Sequence, residues 1–185
     1  MILRIVQYGD PVLRQKGASI DPVTAEHRKL VRDMLETMHE NSGLGLAAQQ
    51  VGQALQLAVI DVTGAERPSQ LFIGVREVAV ESMMPLILIN PVVSRPRGEE
   101  RGAEGCLSFP GVALEIPRAH EITVEAVGID EKKQRFTCTG LLARAVQHEV
   151  DHLNGVLFID RADPVELAPL EPELEKLQKA NKRTR

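Results

Sequence analysis

Two histidines four residues apart give this sequence its clearest chemical signal. The stretch QHEVDHLNG spans residues 147–155 and places Glu149 directly after His148, with His152 one helical turn further on. At about 100° of rotation per helical residue, His152 lies about 40° from His148 and Glu149 about 100° from it. One face of a helix would therefore present two imidazoles and a carboxylate. This pattern can bind a divalent ion and hold a base beside a bound water.

The same letters also fit a core helix with two hydrogen-bonded histidines, because short motifs recur by chance. The neighbouring residues favour the metal site. Leu141 and Ala145 share the arc of the histidines, and an apolar stripe occupies the adjoining face. This stripe turns the imidazoles toward the protein rather than toward solvent. Arg144, one turn before His148, is compatible with an orientation away from the metal.

A catalytic divalent site needs three protein ligands, and Cys106 is the strongest candidate for the third. It lies between two glycine-bearing turns in GAEGCLSFPG, and its thiolate would complete a Cys-His-His set. The alternative is a small buried residue, as free cysteines often are. His120 lies beside charged residues and is expected to face solvent. His27 and His39 fall on the polar side of the first predicted helix.

The other residues predict the elements that must position these side chains. An amphipathic stripe predicts a helix over 24–41, and a second helix is predicted from about Gly140 to Asn154. Thr139 is its candidate N-cap and Gly155 its stop. Five short β-like runs are also predicted: 55–62, 85–93, 112–116, 121–128 and 134–138.

The order of these elements predicts an α+β fold. Mostly antiparallel β-sheets would pack around a central helix carrying the HExxH motif, with an N-terminal helix and a C-terminal helix. Residues 63–84 are expected to form a loop plus a ragged hairpin, and Pro172 suits the first turn of the last helix. Because no repeat or linker is found, we expect one domain over residues 1–185.

Composition excludes several functional classes. Hydrophobic residues make up 43% and charged residues 26% of the chain, which is typical of a globular protein. A net charge of −4 argues against a whole-surface nucleic-acid binder, and we expect no DNA partner. The most apolar run, 83–93, is too short to span a bilayer, and no secretory h-region is found. We therefore expect a cytoplasmic protein without a membrane partner. The second cysteine, Cys138, is expected to pack in the core.

Three stretches together resemble the peptide deformylases. They match the family's three signature motifs in order and spacing: GLGLAAQQ (43–50), EGCLS (104–108) and QHEVDHLNG (147–155). Two further segments look like family segments: GDPVLR (9–14) and PRA (117–119). The resemblance covers most of the chain. It implies removal of the N-formyl group from the N-terminal formylmethionine of newly synthesised proteins.

The resemblance also implies a metal centre and an acid/base. Cys106, His148 and His152 would hold one divalent metal ion, and Glu149 would be the general acid/base. The family implies Fe2+ as the native ion, with Zn2+, Ni2+ or Co2+ as replacements, and the ligand types alone fit zinc well. Additional carboxylates and cations are expected either to orient the ligands or to form ordinary surface salt bridges: Glu104, Arg118 and Asp151.

The substrate would meet the residues of the other motifs. By the resemblance, the side-chain amide of Gln50 and the backbone N–H of Leu107 would form an oxyanion hole. Gly45 would offer backbone hydrogen bonds to N-formylmethionyl nascent peptides. Three residues could line an apolar pocket beside the metal for the methionine side chain: Leu44, Leu141 and Ala145.

The end of the chain carries a second candidate interaction. KLQKANKRTR (176–185) has five basic residues and no acidic one. In some members of the resembled family the C-terminal region docks on the ribosome, so ribosomal RNA is one candidate partner. The alternative is a solvated helix end whose cations the helix dipole favours. The acidic PLEPELEK just upstream favours the latter.

Two other functions are left open beside a deformylase. One is a metallopeptidase that cuts internal peptide bonds. A cysteine ligand and the lack of a zincin-type ligand after residue 152 argue against it. The other is an inactive metal- or peptide-binding module. Glu149 and Gln50 argue against it, because binding alone needs neither.

Overall fold

A computed structural model describes residues 1–181 of the chain. Its α-helices are α1 (Ala25–Glu40), α2 (Gly140–Leu153), α3 (Pro164–Leu167) and α4 (Glu171–Asn181). Its strands are β1 (Gly45–Ala47), β2 (Leu57–Ile60), β3 (Leu71–Ile73), β4 (Arg76–Val78), β5 (Leu86–Cys106), β6 (Phe109–Val127) and β7 (Lys133–Thr139). The strands form one seven-stranded antiparallel sheet in the order β1-β2-β5-β6-β7-β3-β4.

Strands β5 and β6 form the long central hairpin of this sheet. Their register shifts between Ile89 and Val92, between Ser94 and Arg97, and next to Cys106. Register shifts of this kind bend and twist a strand pair. The base of the hairpin packs with α1, whereas its tip packs with α4. One pair of strands thus connects both ends of the protein.

Helix α2 is the central element that the sequence predicts. Eleven of its 14 residues are buried, and it packs against β1, β2, β5, β6 and β7. Its apolar face joins strand residues in a core cluster that includes Leu142, Val146, Ile122 and Phe136. The predicted α+β architecture is therefore confirmed, with the HExxH helix at its centre.

Sequence patterns underestimate the length of the strands. The predicted runs 112–116 and 121–128 are parts of the single strand β6. The intervening PRAH stays in the sheet because the side-chain amide of Gln147 pairs with both backbone groups of Ala119, at 3.1 and 2.9 Å. Arg118 is buried there rather than solvated. Likewise β5 continues through a charged stretch that has no apolar alternation.

The less regular segments agree with their predictions. Within 63–84, β3 and β4 form a short hairpin, followed by a 3-10 turn at Val80–Met83. Helix α4 has Pro172 in its first turn. Thr139 occupies the N-cap position of α2, although its side chain makes no cap hydrogen bond to the helix. Within residues 1–181, no helix has the length and apolarity that crossing a membrane requires.

Gly155 ends α2 in a conformation that leaves no room for a side chain. It adopts a φ of +73°, and a Cβ there would lie 2.5 Å from the backbone oxygen of Arg14. Gly64 has a similar φ of +76°, but among the described residues nothing lies within 4 Å of its Cβ position. Gly64→Ala should therefore lower the free energy of unfolding by about 1–2 kcal/mol, through φ strain alone. Gly155→Ala should lower it by more, because backbone must also move. Urea denaturation measures both, and equal losses would contradict the steric role of Arg14.

Candidate metal centre and substrate cavity

The structure brings Cys106, His148 and His152 together. Cys106 Sγ lies 3.3 Å from His152 Nε2, which lies 3.2 Å from His148 Nε2. The three ligand atoms all lie within 4.8 Å of one another. Such spacing suits one ion with metal–ligand bonds of about 2.0–2.3 Å. Within residues 1–181, no other group of three or more His, Cys, Asp or Glu side chains has this arrangement.

Strand β5 and helix α2 carry these three side chains. Cys106 is the last residue of β5, and the tight turn through Leu107 and Ser108 returns the chain into β6 at Phe109. Both histidines lie on the buried face of α2, one turn apart. The thiolate and the imidazoles therefore meet only if the end of β5 is held against α2.

Glu104 orients the first imidazole. Its Oε2 accepts a hydrogen bond from His148 Nδ1 at 2.9 Å, and both of its oxygens accept from Arg118 at 2.9 Å. Burial opposes ionisation of Glu104, but the hydrogen bonds from Arg118 and His148 outweigh it and hold the pKa well below its usual range. The fixed carboxylate leaves Nε2 of His148 facing the other two ligands.

Asp151 extends this cluster of buried charges toward the surface. It accepts from Arg118, and it binds Arg161 at 2.5 and 2.6 Å. Its carboxylate thus reaches His148 through Arg118 and Glu104 rather than directly. The cluster runs from the partly exposed Arg161 to the metal centre.

Glu149 is buried beside the ligands. Within residues 1–181 its Oε2 has no hydrogen-bond partner. Burial raises its pKa to about 7, while the charge of His148 acts in the opposite direction. A carboxyl group with a pKa near neutrality can both accept and release a proton. A Cβ on Gly45 would lie 2.3 Å from Glu149 Oε1, so only glycine lets the backbone of β1 approach this carboxylate.

The amide of Gln50 faces the cysteine. Gln50 is 1% exposed and belongs to the 3-10 turn Ala48–Val51. Its Oε1 accepts from the backbone N–H of Ala47 at 2.8 Å, which leaves Nε2 as the free end. That nitrogen lies 3.4 Å from Cys106 Sγ. A hydrogen-bond donor is thus held at the edge of the metal centre.

Residues 6–8, called the N-terminal segment below, connect this turn to the hairpin that carries Cys106. The backbone N–H of Val6 donates to the carbonyl of Gln50 at 2.8 Å, and that of Tyr8 donates to Ser108 at 2.9 Å. The ring of Tyr8 stacks on Phe109 with centroids 4.7 Å apart. The segment therefore sets the separation between the two loops around the cavity.

A cavity of about 810 Å³ opens over these groups. The loop before β1, the tip of the β5–β6 hairpin and α2 form its walls. The residues predicted to contact substrate all line it: Leu44, Gly45, Gln50, Leu107, Leu141 and Ala145. His148 and Glu149 line it as well, so a bound peptide would lie directly beside the metal ligands.

Comparison with known proteins identifies this arrangement. Residues 2–168 match the sequence model of the polypeptide deformylases. The chain belongs to this family. A peptide deformylase of Methylacidiphilum infernorum is 46% identical over 179 residues, which cover 97% of this chain and 94% of that protein.

Solved structures agree with the family assignment. The peptide deformylase of Synechococcus elongatus, crystallised in complex with actinonin, is 41% identical with a TM-score of 0.80, covering 92% of this chain and 87% of that one. The enzyme of Thermus thermophilus is 35% identical with a TM-score of 0.81, covering 97% and 99%. The deformylase resemblance of the three motifs is therefore confirmed.

Two other residues considered in the sequence lie away from the deformylase cavity as expected, and the orientation considered for a third, Arg144, is corrected. His120 is exposed and pairs with Glu100, as its charged neighbours suggested. Cys138 is fully buried in the core, and burial raises the pKa of its thiol to about 12. Arg144 does not face away from the metal centre, as the sequence allowed, but is buried, lines the cavity and donates to Glu104 beside the candidate ligands. Its position four residues before His148 was the available signal, because residues four apart share a helix face.

The two cysteines offer a matched test of the metal centre. Cys106→Ala removes one predicted ligand and should weaken Co2+ binding by more than about 100-fold, since even outer partners of ligands contribute 10- to 100-fold. Cys138→Ala alters a core thiol and should leave metal stoichiometry unchanged. Competition with a chromophoric chelator measures affinity, and the thiolate-to-Co2+ absorption band reports the ligand. Equal affinity of both variants would remove Cys106 from the ligand set.

Proposed function

We propose that this chain removes the N-formyl group from the N-terminal formylmethionine of newly synthesised polypeptides, the activity of its family. The proposal rests on one observation above all. A Cys-His-His cluster, with both histidines buried and Cys106 half-buried, lies at the same cavity as the buried carboxylate of Glu149. This combination suits hydrolysis of an amide and is more than a structural metal site requires.

The residues fit a resident divalent ion. Three donor atoms converge, and Glu104 holds His148 in the orientation that a ligand needs. We propose Fe2+ as the native ion, with Zn2+, Ni2+ or Co2+ able to replace it. A ferrous thiolate site would be sensitive to oxygen, because the thiolate of Cys106 can be oxidised. The ion would supply Lewis acidity, which makes water nucleophilic near neutral pH.

In the proposed reaction, residues of the chain transfer the protons and stabilise the charge that develops on the formyl oxygen. Glu149 accepts a proton from the attacking water and later gives it to the departing amine. As the formyl oxygen becomes negative, Nε2 of Gln50 and the backbone N–H of Leu107 donate hydrogen bonds to it. Each donor of this kind contributes roughly 10²–10³ in rate. The fixed Oε1 of Gln50 keeps that amide pre-oriented.

The cavity walls would recognise the first residue of the substrate. Leu141 and Ala145 face the cavity from α2, and Leu44 covers it from the opposite loop. These surfaces are apolar and suit an unbranched methionine side chain. The backbone of Gly45 would hydrogen-bond the peptide, close enough to bring its formyl end to Glu149.

The same features bear on the two alternative functions. A peptidase that cuts internal bonds lacks support, because the family model and the named relatives are deformylases. A silent binding module would not need a buried carboxyl group such as Glu149, whose pKa burial raises to about 7. We further infer that residues 1–185 form a single catalytic domain, since one sheet joins all seven strands of the described part. Its predicted compartment is the cytoplasm, where formylated chains are made.

One assay separates these functions. Anaerobically purified protein incubated with formyl-Met-Ala-Ser and an unblocked peptide should release formate and leave internal bonds intact. Formyl-Asp-Ala-Ser should react more slowly, because its charge does not suit the apolar pocket. Glu149→Ala should keep its metal and lose roughly 10²–10⁴-fold in kcat. Glu99→Ala, an exposed carboxylate on β5, is the control and should match the wild-type protein. Internal cleavage, or no reaction at all, would overturn the proposal.

A ribosome contact through the basic tail also stays a prediction. Lys176 and Lys179 are exposed on α4, whereas residues 182–185, with three further basic residues, lie outside the described part. Because Leu174 is buried, deleting α4 would disturb the core. Charge reversal is therefore the cleaner test.

The variant Lys176→Glu/Lys179→Glu should co-sediment less with ribosomes if the tail binds ribosomal RNA, and wild-type binding should weaken with salt. Lys132→Glu/Lys133→Glu makes the same change in charge at two exposed residues at the start of β7, distant from α4 in the sequence, and should bind normally. If the α4 variant and this control sediment alike, the contact does not involve α4.

A further inference from the structure

Arg144 makes contacts that the proposed reaction does not use. It is 4% exposed and lies on α2, one turn before His148. Its Nη2 lies 2.7 Å from the carbonyl oxygen of Glu100, and its Nη1 lies 2.8 Å from that of Ile116 and 3.3 Å from that of Gly102. One side chain of the helix therefore binds the backbone of both β5 and β6.

The same guanidinium reaches the carboxylate that orients the metal ligand. Arg144 Nη1 donates to Glu104 Oε1 at 2.8 Å, while His148 Nδ1 lies 2.9 Å from Oε2 of that carboxylate. Two residues of one helix thus hold a single carboxylate between them. Glu104 in turn lies two residues before Cys106 on β5.

The backbone of the hairpin makes room for this guanidinium. Gly102 and Ile116 are opposite each other in the β5–β6 ladder, and both offer carbonyls to Arg144. A Cβ on Gly102 would lie 3.1 Å from Arg144 Nη2 and 2.8 Å from Arg67 Nη2. Any larger residue at position 102 would therefore press on the contact.

We propose that Arg144 is a positioning residue for the metal centre. It fixes α2, which presents the two imidazoles, against the part of β5 that leads to Cys106. Because the metal ligands come from these two elements, their separation decides whether the thiolate and the imidazoles can share one ion. A guanidinium suits this task, since its planar set of donors binds several acceptors at once, whereas a lysine ammonium is a single point.

The inference rests on the proposed metal site, and its test separates the two. Arg144→Lys keeps the charge and removes the planar donors. It should weaken Co2+ affinity about 10- to 100-fold, as loss of a partner that orients a ligand does. It should also shift the thiolate-to-Co2+ absorption band and lower kcat. Arg101→Lys, on the same strand but exposed, should stay within about 2-fold of wild type in each measurement.

A second variant covers the case in which Arg144→Lys does not fold. Gly102→Ala, made in an Arg67→Ala background, keeps the Arg144 charge and crowds its guanidinium, whose Nη2 would lie 3.1 Å from the new Cβ. It should reproduce the weaker affinity and the shifted band, with Arg67→Ala alone as control. A folded Arg144→Lys protein with wild-type affinity and spectrum overturns the inference, as does a wild-type-like Gly102→Ala variant. A wild-type protein that binds Co2+ but releases no formate overturns only the proposed function.

Discussion

The hydrogen bond between Glu104 and His148 connects β5 to α2, the two elements that carry the Cys-His-His cluster. The carboxylate comes from β5 and the imidazole from α2, and both are buried. Three cationic or donor groups surround Glu104, so it remains ionised where an isolated carboxylate would not. Because Cys106 follows two residues later on the same strand, fixing Glu104 also fixes the approach of the thiolate. The candidate metal centre thus depends on a hydrogen bond between one candidate ligand, His148, and a carboxylate that is not itself a candidate ligand.

The second constraint on the site is that backbone must pass very close to the side chain of Glu149. Gly45 passes so near Glu149 that no side chain fits between them. The N-terminal segment then holds the turn with Gln50 and the turn with Ser108 at a set distance through two backbone hydrogen bonds. These contacts come from segments far apart in the sequence. Together they place the carboxylate of Glu149, the amide of Gln50 and the Cys-His-His cluster along one cavity. In the proposed reaction, this fixed arrangement would lower the cost of reorganisation.

The periodicity of apolar residues predicted the features that depend only on neighbouring residues, chiefly the helices. The HExxH helix, its burial and its glycine stop follow from residue spacing along one helix, and α1 follows from its apolar stripe. The third ligand needed more, since nothing local joins Cys106 to the histidines: its glycine-flanked turn made it the strongest candidate, and the family resemblance then supported the same residue. The full lengths of β5 and β6 could not be predicted, because charged residues such as Arg118 are buried there by partners distant in sequence. The orientation of Arg144 could not be predicted for the same reason, since its acceptors lie on β5 and β6, far from α2 in the sequence.

The cluster of Glu104, Arg118, Arg144 and Asp151 is costly in stability, because buried ion pairs often contribute less than apolar packing of the same volume. An apolar cluster would hold α2 against the hairpin through non-directional contacts, which would allow the helix to shift along the hairpin. Hydrogen bonds to a carboxylate and to fixed carbonyls are directional, so they define one relative position of helix and strand. A metal site whose three candidate ligands come from two elements would need that single position. Directional specificity at this one junction therefore accounts for burying charges that stability alone would not favour.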